Sequence, residues 1–459
     1  MIAAREVQGR RFNILGGARS GLAVARLLVS HGAKVFLSDQ APPEKMRRAA
    51  EELDMLGIAY EFGGHSNKVL EGDALVVSPG IPSNIALVQA AKSMDLPIFS
   101  ELEIASWYCP GAIVAITGTN GKTTTTTLTG RMFDDARRPT VVAGNIGTAF
   151  SQVVGDMTSE SIAVLEVSSF QLDFINSFRP KVAAILNITP DHLDRYDHRF
   201  ENYVAAKVRI FQNQAEGDTL IFNADDRIAR EMVEKHLHPI VTRLPFSTRQ
   251  LLEQGAMVRS GVLTMRVDNQ ELEVVPVASL SLFGEHNVSN ALAALLAAWV
   301  LDVPIASIRA TLKNFKGVEH RLEFIRELDG ITYINDSKAT NVDAVWYALR
   351  SFKQPVVALM GGRDKGNDYR RLHDPVRTHV RAIVAIGESA NKVVEAFSGI
   401  VPVVKASTME GAVSSARKLA VSGDVVLLSP ACASFDWFEN FEHRGRVFRE
   451  TVIALNPAS

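Results

Sequence analysis

Short apolar runs alternate with amphipathic stretches along most of the chain. In the first hundred residues, these runs predict strands at Phe12–Leu15, Lys34–Ser38 and Ala74–Val77. An apolar helix is predicted at Leu22–Val29, and the glycine of His31–Gly32 ends it. Strands that alternate with helices in this way are typical of a parallel sheet covered by helices.

The same alternation recurs twice further along the chain. The predicted strands are Ala112–Ile116, Ile162–Val167, Val182–Leu186, Ile331–Ile334, Pro355–Leu359, Ala382–Ile386 and Val425–Leu428. Between these groups, residues 240–283 alternate apolar and polar positions, with Val275, Val277 and Leu280 among the apolar ones. A period of two residues is typical of half-buried strands, so we expect antiparallel strands there.

These patterns predict an α/β protein with three domains. A chain of 459 residues is too long for one hydrophobic core. We place the domains at residues 1–100, 101–318 and 319–459. The first and third are predicted to be Rossmann-like. The central one is predicted to be a P-loop-type domain with a mainly parallel sheet and a small antiparallel sheet.

Composition narrows the functional class only slightly. Hydrophobic residues make up 47% and charged residues 22% of the chain, as in ordinary globular proteins. The net charge of −2 provides no basic field, so we expect no nucleic-acid partner. The two cysteines, Cys109 and Cys432, lack metal-ligand spacing. This argues for a reducing compartment and against a disulfide framework or a zinc site.

No segment is predicted to enter a membrane. The first residues, Met1–Phe12, lack the apolar core of a signal peptide. The longest apolar run, Ala291–Leu301, is about half of the roughly 20 residues that span a bilayer. We therefore expect a cytoplasmic protein without membrane insertion.

A loop rich in threonine and glycine follows a predicted strand and begins a helix. Gly118 and Gly121 would let the backbone approach a phosphate closely, and the first amides of the helix would face it. Lys122 would reach the β- and γ-phosphates, and the Thr123 hydroxyl would bind Mg²⁺. Ile116 stands where a generic P-loop has a further glycine, so standard kinases and GTPases are disfavoured.

Three later positions are candidates for metal binding or proton transfer. Glu166 ends an otherwise apolar strand, where an unpaired carboxylate is costly, so we predict a magnesium ligand. A structural salt bridge is the alternative for Glu166. His192, within Thr189–Asp194, follows another strand and suits a metal or a proton transfer. From the residues alone, Lys207 is best interpreted as an ordinary lysine on a helix surface.

A glycine turn follows the first predicted strand. It spans Gly16–Gly21, and Asp39 lies about 20 residues further on, at the next strand end. This resembles the dinucleotide fingerprint, in which the acidic residue binds a ribose hydroxyl. Ala18 occupies the place of the second glycine, where backbone and pyrophosphate come closest. A nucleotide other than NAD is therefore favoured in this crevice.

Taken together, the motifs resemble those of the Mur ligases. Thr117–Thr123 matches the ATP loop of that family, and the other motifs follow in the family's order over almost the whole chain. The most typical stretches are Asn335–Asn341, Gly361–Gly366 and Leu428–Asp436, with Phe438, Asn440, Phe441 and Arg444. Within the family, the chain resembles the ligases that add D-glutamate. The histidines of the alanine-adding relatives and the Asn-Pro-Arg motif of the diaminopimelate-adding ones are not found at these places.

The resemblance implies an ATP-dependent ligase that joins D-glutamate to UDP-N-acetylmuramoyl-L-alanine through an acyl phosphate. Such a reaction belongs to peptidoglycan precursor synthesis, and so to cell-wall biogenesis, cell shape and cell division. ATP and one or two Mg²⁺ ions are the implied cofactors, the two named substrates are the implied partners, and a monomer is expected. The three domains would bind, in chain order, the UDP substrate, ATP and glutamate.

The resemblance also implies roles for individual residues. The implied ATP contacts are Gly118, Thr119, Asn120, Gly121, Lys122, Thr123, Thr124, Asn287, Asn290, Arg321 and Asp336. The implied metal set is Thr123, Glu166, His192 and Lys207, and the implied UDP-substrate set is Ser20, Asp39, Gly80 and Asn145. The implied glutamate set is Thr340, Lys365, Ser434 and Phe441, and the implied catalytic set is Lys122, His192, Lys207 and Lys338.

The family's lysine at the position of Lys207 is carbamylated, and electrostatics makes this sensible. Mg²⁺ repels an ammonium, whereas adding carbon dioxide makes the side chain an anion that can bind the ion. The attacking amine must also lose a proton. His192 or a nearby carboxylate could accept it, and the residues leave that choice open.

Other functions are compatible with some of these motifs. A folylpolyglutamate synthase or another Mur-type amino-acid ligase would share the fold, but the synthase lacks the first domain that Gly16–Asp39 suggests. An NAD-dependent dehydrogenase would use the first domain and leave the Lys122 loop unexplained. A non-catalytic nucleotide-binding regulator would bind ATP without hydrolysing it.

Overall fold

The computed structural model describes residues 6–145, 147–267, 270–282, 284–364 and 366–457. They form three sheets of five, nine and six strands. The chain divides into two compact units, Met1–Ser279 with Ser289–Lys313, and Leu280–Val288 with Asn314–Ser459. The first unit contains the first two sheets, and the second unit contains the third.

The first sheet is parallel throughout, in the order β3-β2-β1-β4-β5. Its strands are β1 Arg11–Leu15, β2 Lys34–Asp39, β3 Ala59–Phe62, β4 Ala74–Val77 and β5 Ile98–Ser100. Its helices are α1 Arg19–Ser30, α2 Arg47–Met55, α3 Ala86–Ser93 and α4 Glu101–Ser106. The central strands are buried on both faces, which is why they consist of continuous apolar runs.

The second sheet has the order β14-β13-β12-β11-β10-β9-β6-β8-β7. Its strands are β6 Ala112–Thr117, β7 Thr140–Gly144, β8 Ile162–Glu166, β9 Val182–Ile185, β10 Thr219–Asn223, β11 Thr242–Ser247, β12 Gly255–Arg259, β13 Val262–Val267 and β14 Gln270–Pro276. The helices in this part of the chain are α5 Lys122–Asp135, α6 Phe150–Val153, α7 Ser169–Leu172, α8 Phe200–Val208, α9 Arg227–His236, α10 Glu285–Val300 and α11 Ile305–Asn314.

The third sheet has the order β15-β16-β20-β17-β18-β19 and is parallel except for the β15–β16 pair. Its strands are β15 Glu323–Leu328, β16 Ile331–Asn335, β17 Val356–Gly361, β18 Val380–Ile386, β19 Val403–Lys405 and β20 Val425–Leu428. Its helices are α12 Val342–Leu349, α13 His373–His379, α14 Ala390–Phe397, α15 Met409–Leu419 and α16 Phe441–Ile453. Alternate residues of β17 enter separate apolar cores on the two faces.

The predicted fold class is confirmed, and so is every strand predicted from an apolar run. Observed and predicted strand ends differ by at most two residues. The predicted helix at Leu22–Val29 lies within α1. Among the described residues, every helix falls short of the length and apolarity needed to span a bilayer.

The expectation for residues 240–283 was wrong in part. Among the described residues of this stretch, only the β12–β13 and β13–β14 pairs are antiparallel, and both extend the edge of the second sheet. β11 is parallel to both of its neighbours. Val277 lies in a 3₁₀ turn, Val277–Ser279, and Leu280 follows that turn. Residue alternation has the same period in parallel and antiparallel strands, so the pattern did not reveal the direction of pairing.

Candidate active site

The chemically distinctive loops of the second sheet meet at one edge. β9, β6, β8 and β7 are neighbours and mutually parallel, so their carboxyl ends lie side by side. The loop from Gly118 to Lys122, called the phosphate loop below, follows β6. Glu166 is the last residue of β8. Asn145 follows β7, and the segment to His192 follows β9. Ligand sites of parallel sheets lie at such ends.

The loop between β6 and α5 has a backbone that only glycine suits at one position. Gly121 precedes the first helical residue with φ +84°, in the left-handed region. A Cβ at Gly121 would lie 2.3 Å from the Asn290 Oδ1 atom, and one at Gly118 would lie 3.0 Å from the Leu186 Cβ. The structure therefore packs Asn290, a predicted nucleotide contact, against this loop.

Groups after β9 hold the loop in place. Asn187 accepts from the Asn120 amide at 2.8 Å and donates to the Asn120 carbonyl at 3.0 Å. The Thr119 hydroxyl donates to the Thr189 carbonyl and accepts from the Thr189 amide, each at 3.0 Å. It also lies 3.1 Å from the Tyr203 hydroxyl. Such bracing lets the backbone amides of a phosphate loop keep their direction without a ligand.

Lys122 lies across the loop that precedes it. Its Nζ donates to the Gly118 and Thr119 carbonyl oxygens, at 2.9 Å each. Thr123 and Thr124, the next two residues, are buried in the first turn of α5. A cation and a helix N-terminus are thus placed together, which favours an anion at this position.

Lys207 is a buried residue of α8, and its ammonium lies under the same loop. Its Nζ donates to the Gly118 carbonyl at 2.8 Å and lies 4.8 Å from the centre of the Tyr203 ring. Burial lowers the pKa of Lys207 well below its usual value, and the charge of Lys122 lowers it further. The carboxylates of Asp191 and Glu166 act in the opposite direction. The interpretation as a surface lysine was therefore wrong.

Glu166 is buried and has one oxygen without a protein partner. Its Oε1 accepts from the Asn145 side-chain amide at 3.1 Å, while its Oε2 accepts no hydrogen bond from the described residues. A buried carboxylate oxygen is costly in that state unless a cation binds it. This oxygen fits a magnesium ion, which prefers carboxylate oxygens and phosphate oxygens.

Among the described residues, no group of three or more His, Cys, Asp and Glu side chains forms a ready metal site. Magnesium is usually bound by one or two carboxylates together with substrate phosphates, so a sparse set of protein ligands is compatible with it. The remaining ligands would have to come from hydroxyl groups, a modified lysine or the nucleotide.

His192 has a left-handed backbone, with φ +51°. Its ring is half exposed, and its Nε2 lies 3.7 Å from Asp191 Oδ2. The edge-on ring of Phe170 lies 5.1 Å away between centroids. Strained backbone of this kind is concentrated at functional sites, where surrounding structure supports it. The structure thus places His192 beside Asp191, one of the carboxylates that act on Lys207.

In the first sheet, the glycine turn also lies at the carboxyl edge, and one of its backbone amides already donates a hydrogen bond within the protein. The Gly17 amide donates to Asp39 Oδ2 at 2.6 Å, and the Ala41 amide donates to Asp39 Oδ1 at 2.7 Å. Ser20 is in the first turn of α1. Gly80 is an exposed residue in the loop that follows β4. Both oxygens of the Asp39 carboxylate thus accept hydrogen bonds within the protein, one of them from the turn.

The three predicted motifs of the third domain begin at the carboxyl ends of neighbouring strands, β16, β20 and β17. The Arg363 and Ala433 backbones form a bridge, with hydrogen bonds of 2.9 and 3.2 Å. Lys338 Nζ lies 5.0 Å from the centre of the Phe441 ring. Thr340 follows β16, and Ser434 is buried after β20. Lys365 lies outside the described residues.

A buried arginine joins two of these motifs. Arg444 Nε donates to the Ser337 hydroxyl at 3.0 Å, and its Nη2 donates to the Ser337 and Cys432 carbonyls at 2.8 and 3.1 Å. The Ser337 hydroxyl in turn donates to the Phe441 carbonyl at 2.8 Å. Burial lowers the pKa of Arg444 to about 10, and the nearby Asp436 opposes this.

Asp336, which directly follows β16, has a strongly shifted carboxyl group. Burial raises its pKa to about 7, although the Ser429 hydroxyl and the charge of Arg321 act to lower it. Its Oδ2 accepts from Ser429 at 2.9 Å. The charge of Arg321 also acts on the partly buried His286, whose pKa is lowered to about 4, mainly by desolvation. Asn287, the next residue of α10, is buried.

Sequence reasoning missed two residues that shape the site, Tyr203 and Asn187. Tyr203 lies four residues before Lys207 on α8, so the two share a helix face, and this spacing was the available signal. Asn187 directly follows the predicted strand Val182–Leu186 but has no motif around it. Tyr203 and Asn187 act through contacts with residues more than sixty positions away.

Sequence models of three domains match this chain. The one described as the Mur ligase middle domain matches residues 116–298. The one described as the Mur ligase glutamate ligase domain matches residues 320–432. The one described as the MurD N-terminal domain matches residues 12–86.

Relatives with close sequences are similar over nearly their whole length. The UDP-N-acetylmuramoylalanine–D-glutamate ligase of Salinibacter ruber is 50% identical over 457 residues, which cover 98% of this chain and 99% of that protein. The protein of the same name from Chloroherpeton thalassium is 44% identical over 464 residues, with coverage of 98% and 99%.

Solved structures with low sequence identity share the fold. MurC from Thermotoga maritima aligns with a TM-score of 0.60 at 19% identity, covering 97% of this chain and 99% of that one. MurF from the same organism aligns with a TM-score of 0.58 at 17% identity, covering 99% and 97%. FolC from Escherichia coli also reaches 0.58, at 16% identity, but covers 82% of this chain and 99% of its own.

Proposed function

We propose that this chain, which belongs to the Mur ligase family, joins D-glutamate to UDP-N-acetylmuramoyl-L-alanine with cleavage of ATP. The reaction forms a C–N bond and serves peptidoglycan synthesis. The observation that carries this function is the full-length similarity to ligases of that name, at 44–50% identity. The strand-end loops of the second sheet supply a matching chemical site.

The first step makes the substrate carboxylate a good electrophile. An L-alanyl carboxylate oxygen attacks the γ-phosphorus of ATP, the new O–P bond forms, and the bond to ADP breaks. Charge spreads over the phosphoryl oxygens during this transfer. Lys122, the loop amides and the N-terminus of α5 lie together and would stabilise it.

Thr123, Glu166 and His192 would hold Mg²⁺, together with a carbamylated Lys207. Bound there, the ion would supply Lewis-acid neutralisation of phosphoryl charge. Glu166 Oε2, which accepts no hydrogen bond from the part of the chain that the structure describes, supports this assignment. Asn145 holds the other Glu166 oxygen, so it would orient the carboxylate as well as contact the UDP substrate.

Carbamylation of Lys207 is proposed from its position. An ammonium buried beside Lys122 is disfavoured, and the neutral amine is the form that reacts with carbon dioxide. The product is an anion on the end of a long side chain, close to the Gly118 carbonyl in the present structure. This change converts a cation that would repel the metal into a ligand for it.

The second step forms the amide. The glutamate amine attacks the acyl carbon, the C–N bond forms, phosphate leaves, and His192 or a neighbouring carboxylate takes the amine proton. Lys338, Thr340, Ser434 and Phe441 lie on or beside joined loops of the third sheet and are proposed to hold glutamate, with Lys365. Asn287, Asn290, Arg321 and Asp336 are proposed nucleotide contacts.

The cellular setting follows from the substrates. UDP-linked precursors are made in the cytoplasm, so we propose that location, and a contribution to cell shape and division through the wall.

The first domain is the feature that separates this function from a folylpolyglutamate synthase. Deleting residues 1–100 should abolish ligation here and would matter little for a synthase.

The deciding experiment is phosphate release by the purified full chain. ATP, Mg²⁺ and UDP-N-acetylmuramoyl-L-alanine are supplied with D-glutamate, L-glutamate or other amino acids, and the amide product is identified by mass. We expect release only with D-glutamate, and its loss in Lys122→Ala. Absence of phosphate release with all three substrates would overturn the ligase function. Release with another amino acid would show that the enzyme has a different amino-acid substrate.

A further inference from the structure

Arg195 spans from the turn after His192 to a loop of the first domain. It lies in the 3₁₀ turn Leu193–Arg195, and its Nη1 donates to the Pro79 carbonyl at 2.8 Å. Its Nη2 donates to the Gly80 carbonyl. Arg195 and these two carbonyls belong to the same compact unit. One guanidinium thus binds two consecutive backbone acceptors of a loop that is more than a hundred residues away in the sequence.

The same guanidinium is stacked on an aromatic ring that also contacts His192. The Arg195 Cζ lies 4.0 Å from the centre of the Phe170 ring, within the range of a cation–π contact. Phe170 meets the His192 ring edge-on, at 5.1 Å between centroids. Phe170 is therefore shared between Arg195 and His192, and a movement of one would disturb the packing of the other.

The loop that Arg195 holds is itself joined to the glycine turn of the first sheet. The buried Ser78 hydroxyl donates to the Gly16 carbonyl at 3.0 Å, and the Ser78 amide donates to the Leu15 carbonyl at 3.0 Å. The Ile81 amide closes the loop onto the Ser78 carbonyl at 2.9 Å. Fixing Pro79 and Gly80 therefore also supports the Gly16–Gly21 turn, so two of the three first-domain loops expected to bind the UDP substrate are held.

We propose that Arg195 is a positioning residue that holds the UDP-substrate loops of the first domain in register with the His192 turn. This rests on the proposed function, in which the substrate's carboxylate must reach the γ-phosphate beside His192. Arg195 acts through the Pro79 and Gly80 carbonyls and through Phe170. Small displacements of reacting groups slow such reactions strongly, so a fixed loop raises the rate.

Arginine is the residue type that this contact requires. Its planar fork presents two N–H groups to two acceptors and a flat face to an aromatic ring at the same time. Lysine keeps the charge but offers a single ammonium, which would not bind both carbonyls and stack on Phe170. The conservative change Arg195→Lys is therefore a sensitive test.

The test compares Arg195→Lys and Arg195→Met with a matched control, Arg326→Lys. Arg326 is also partly exposed, and its Nη1 donates to the Ile453 and Leu455 carbonyls at 2.9 and 3.3 Å, away from the proposed site residues. We expect both Arg195 variants to raise the KM for UDP-N-acetylmuramoyl-L-alanine about tenfold and to lower kcat. The KM for ATP and for D-glutamate should change less than about twofold, and Arg326→Lys should resemble the wild type.

Amide hydrogen exchange gives a second readout that does not depend on ligation. Exchange at Ile81 should be faster in both Arg195 variants and unchanged in Arg326→Lys, because only the guanidinium can hold the Pro79 and Gly80 carbonyls as a pair. Wild-type KM values and wild-type exchange would overturn the proposal. A lower Tm with an unchanged KM would also overturn it, because it would indicate a merely structural role. If the wild type failed to ligate, the proposed function would fail while the exchange data still decided whether Arg195 holds the loop.

Discussion

The buried ammonium of Lys207 donates to the carbonyl oxygen of Gly118 at 2.8 Å, which brings a residue of α8 to the phosphate loop. The two residues are far apart in sequence, and no motif links them. This contact places a modifiable amine next to Lys122 and within the influence of Glu166 and Asp191. The metal chemistry proposed here depends on that placement.

Replacing Lys207 by alanine should nearly abolish ligation, because the proposed anionic metal ligand is lost. We expect kcat to fall by at least about 10²–10³, in line with the loss of one preorganised charged group. A small carboxylate added to Lys207→Ala should restore part of the rate by occupying the vacated position. Phosphate release measures both effects.

The control for Lys207→Ala is Lys181→Ala, which removes an exposed lysine at the opposite end of the sheet, just before β9. It should retain wild-type activity. Full activity of Lys207→Ala without added carboxylate would remove Lys207 from the mechanism. Carbamylation itself is checked by a carbamate signal in NMR spectra after incubation with ¹³C-bicarbonate.

Gly121→Ala should weaken ATP binding, because the new methyl group would have to displace the Asn290 side-chain amide from the loop. The added Cβ would lie 2.3 Å from Asn290 Oδ1, and the residue would have to keep φ +84°. Gly261→Ala is the control, because Gly261 has φ +76° but no neighbour within 4 Å of its added Cβ. Both changes introduce left-handed strain of about 1–2 kcal/mol, and only Gly121→Ala adds a collision.

Calorimetric titration with a nonhydrolysable ATP analogue distinguishes the two glycine variants. Gly261→Ala should bind as the wild type does, with a modestly lower Tm. Normal binding by a folded Gly121→Ala would contradict the close fit between this loop and Asn290.

Asp336 should make the wild type less stable as the pH rises through neutrality. Its folded pKa is about 7, above the roughly 3.9 of an unfolded aspartate, so the folded state binds the proton more tightly. The resulting stabilisation is fully present below about pH 4 and is lost as the pH rises through 7. Asp336→Asn removes this dependence and should be more stable than the wild type at pH 8, by roughly 2–4 kcal/mol at most.

Urea unfolding at pH 5 and pH 8 measures the effect of Asp336→Asn as a difference between the two proteins. His286, whose pKa is lowered to about 4, titrates in both and contributes equally to each. An identical pH dependence of the two proteins would show that Asp336 is not held as a buried acid.

Arg444→Lys should weaken glutamate binding and reduce stability together. The guanidinium makes three hydrogen bonds to Ser337 and Cys432, and one ammonium would not reproduce their directions. We expect a loss of roughly 2–4 kcal/mol in unfolding free energy and a KM for D-glutamate raised about tenfold.

The control for Arg444→Lys is Arg446→Lys, an exposed arginine on the same helix, α16. Its Tm and KM values should match those of the wild type. A stable Arg444→Lys protein with an unchanged KM would mean that the two motifs keep their places without the guanidinium.

Much of the fold was predictable, because the strands that carry the motifs are buried on both faces. Such strands need continuous apolar runs, and β4 and β20 were predicted at their observed bounds. Short or edge strands such as β3, β5 and β19 have mixed patterns and were not identified. At residues 240–283 the antiparallel prediction held for the β12–β13 and β13–β14 pairs and failed for β11, because alternation alone does not encode the direction of pairing.

The sequence by itself identified the candidate site residues at strand ends, among them Lys122, Glu166 and His192. Local spacing is enough for this, since a strand, a turn and a helix start are short-range features. Only the tertiary structure decided that Lys207 is buried under the phosphate loop and that Arg195 and Arg444 join distant loops. Those contacts depend on which helix packs over which strand, and the burial that shifts a pKa exists only after that packing has formed.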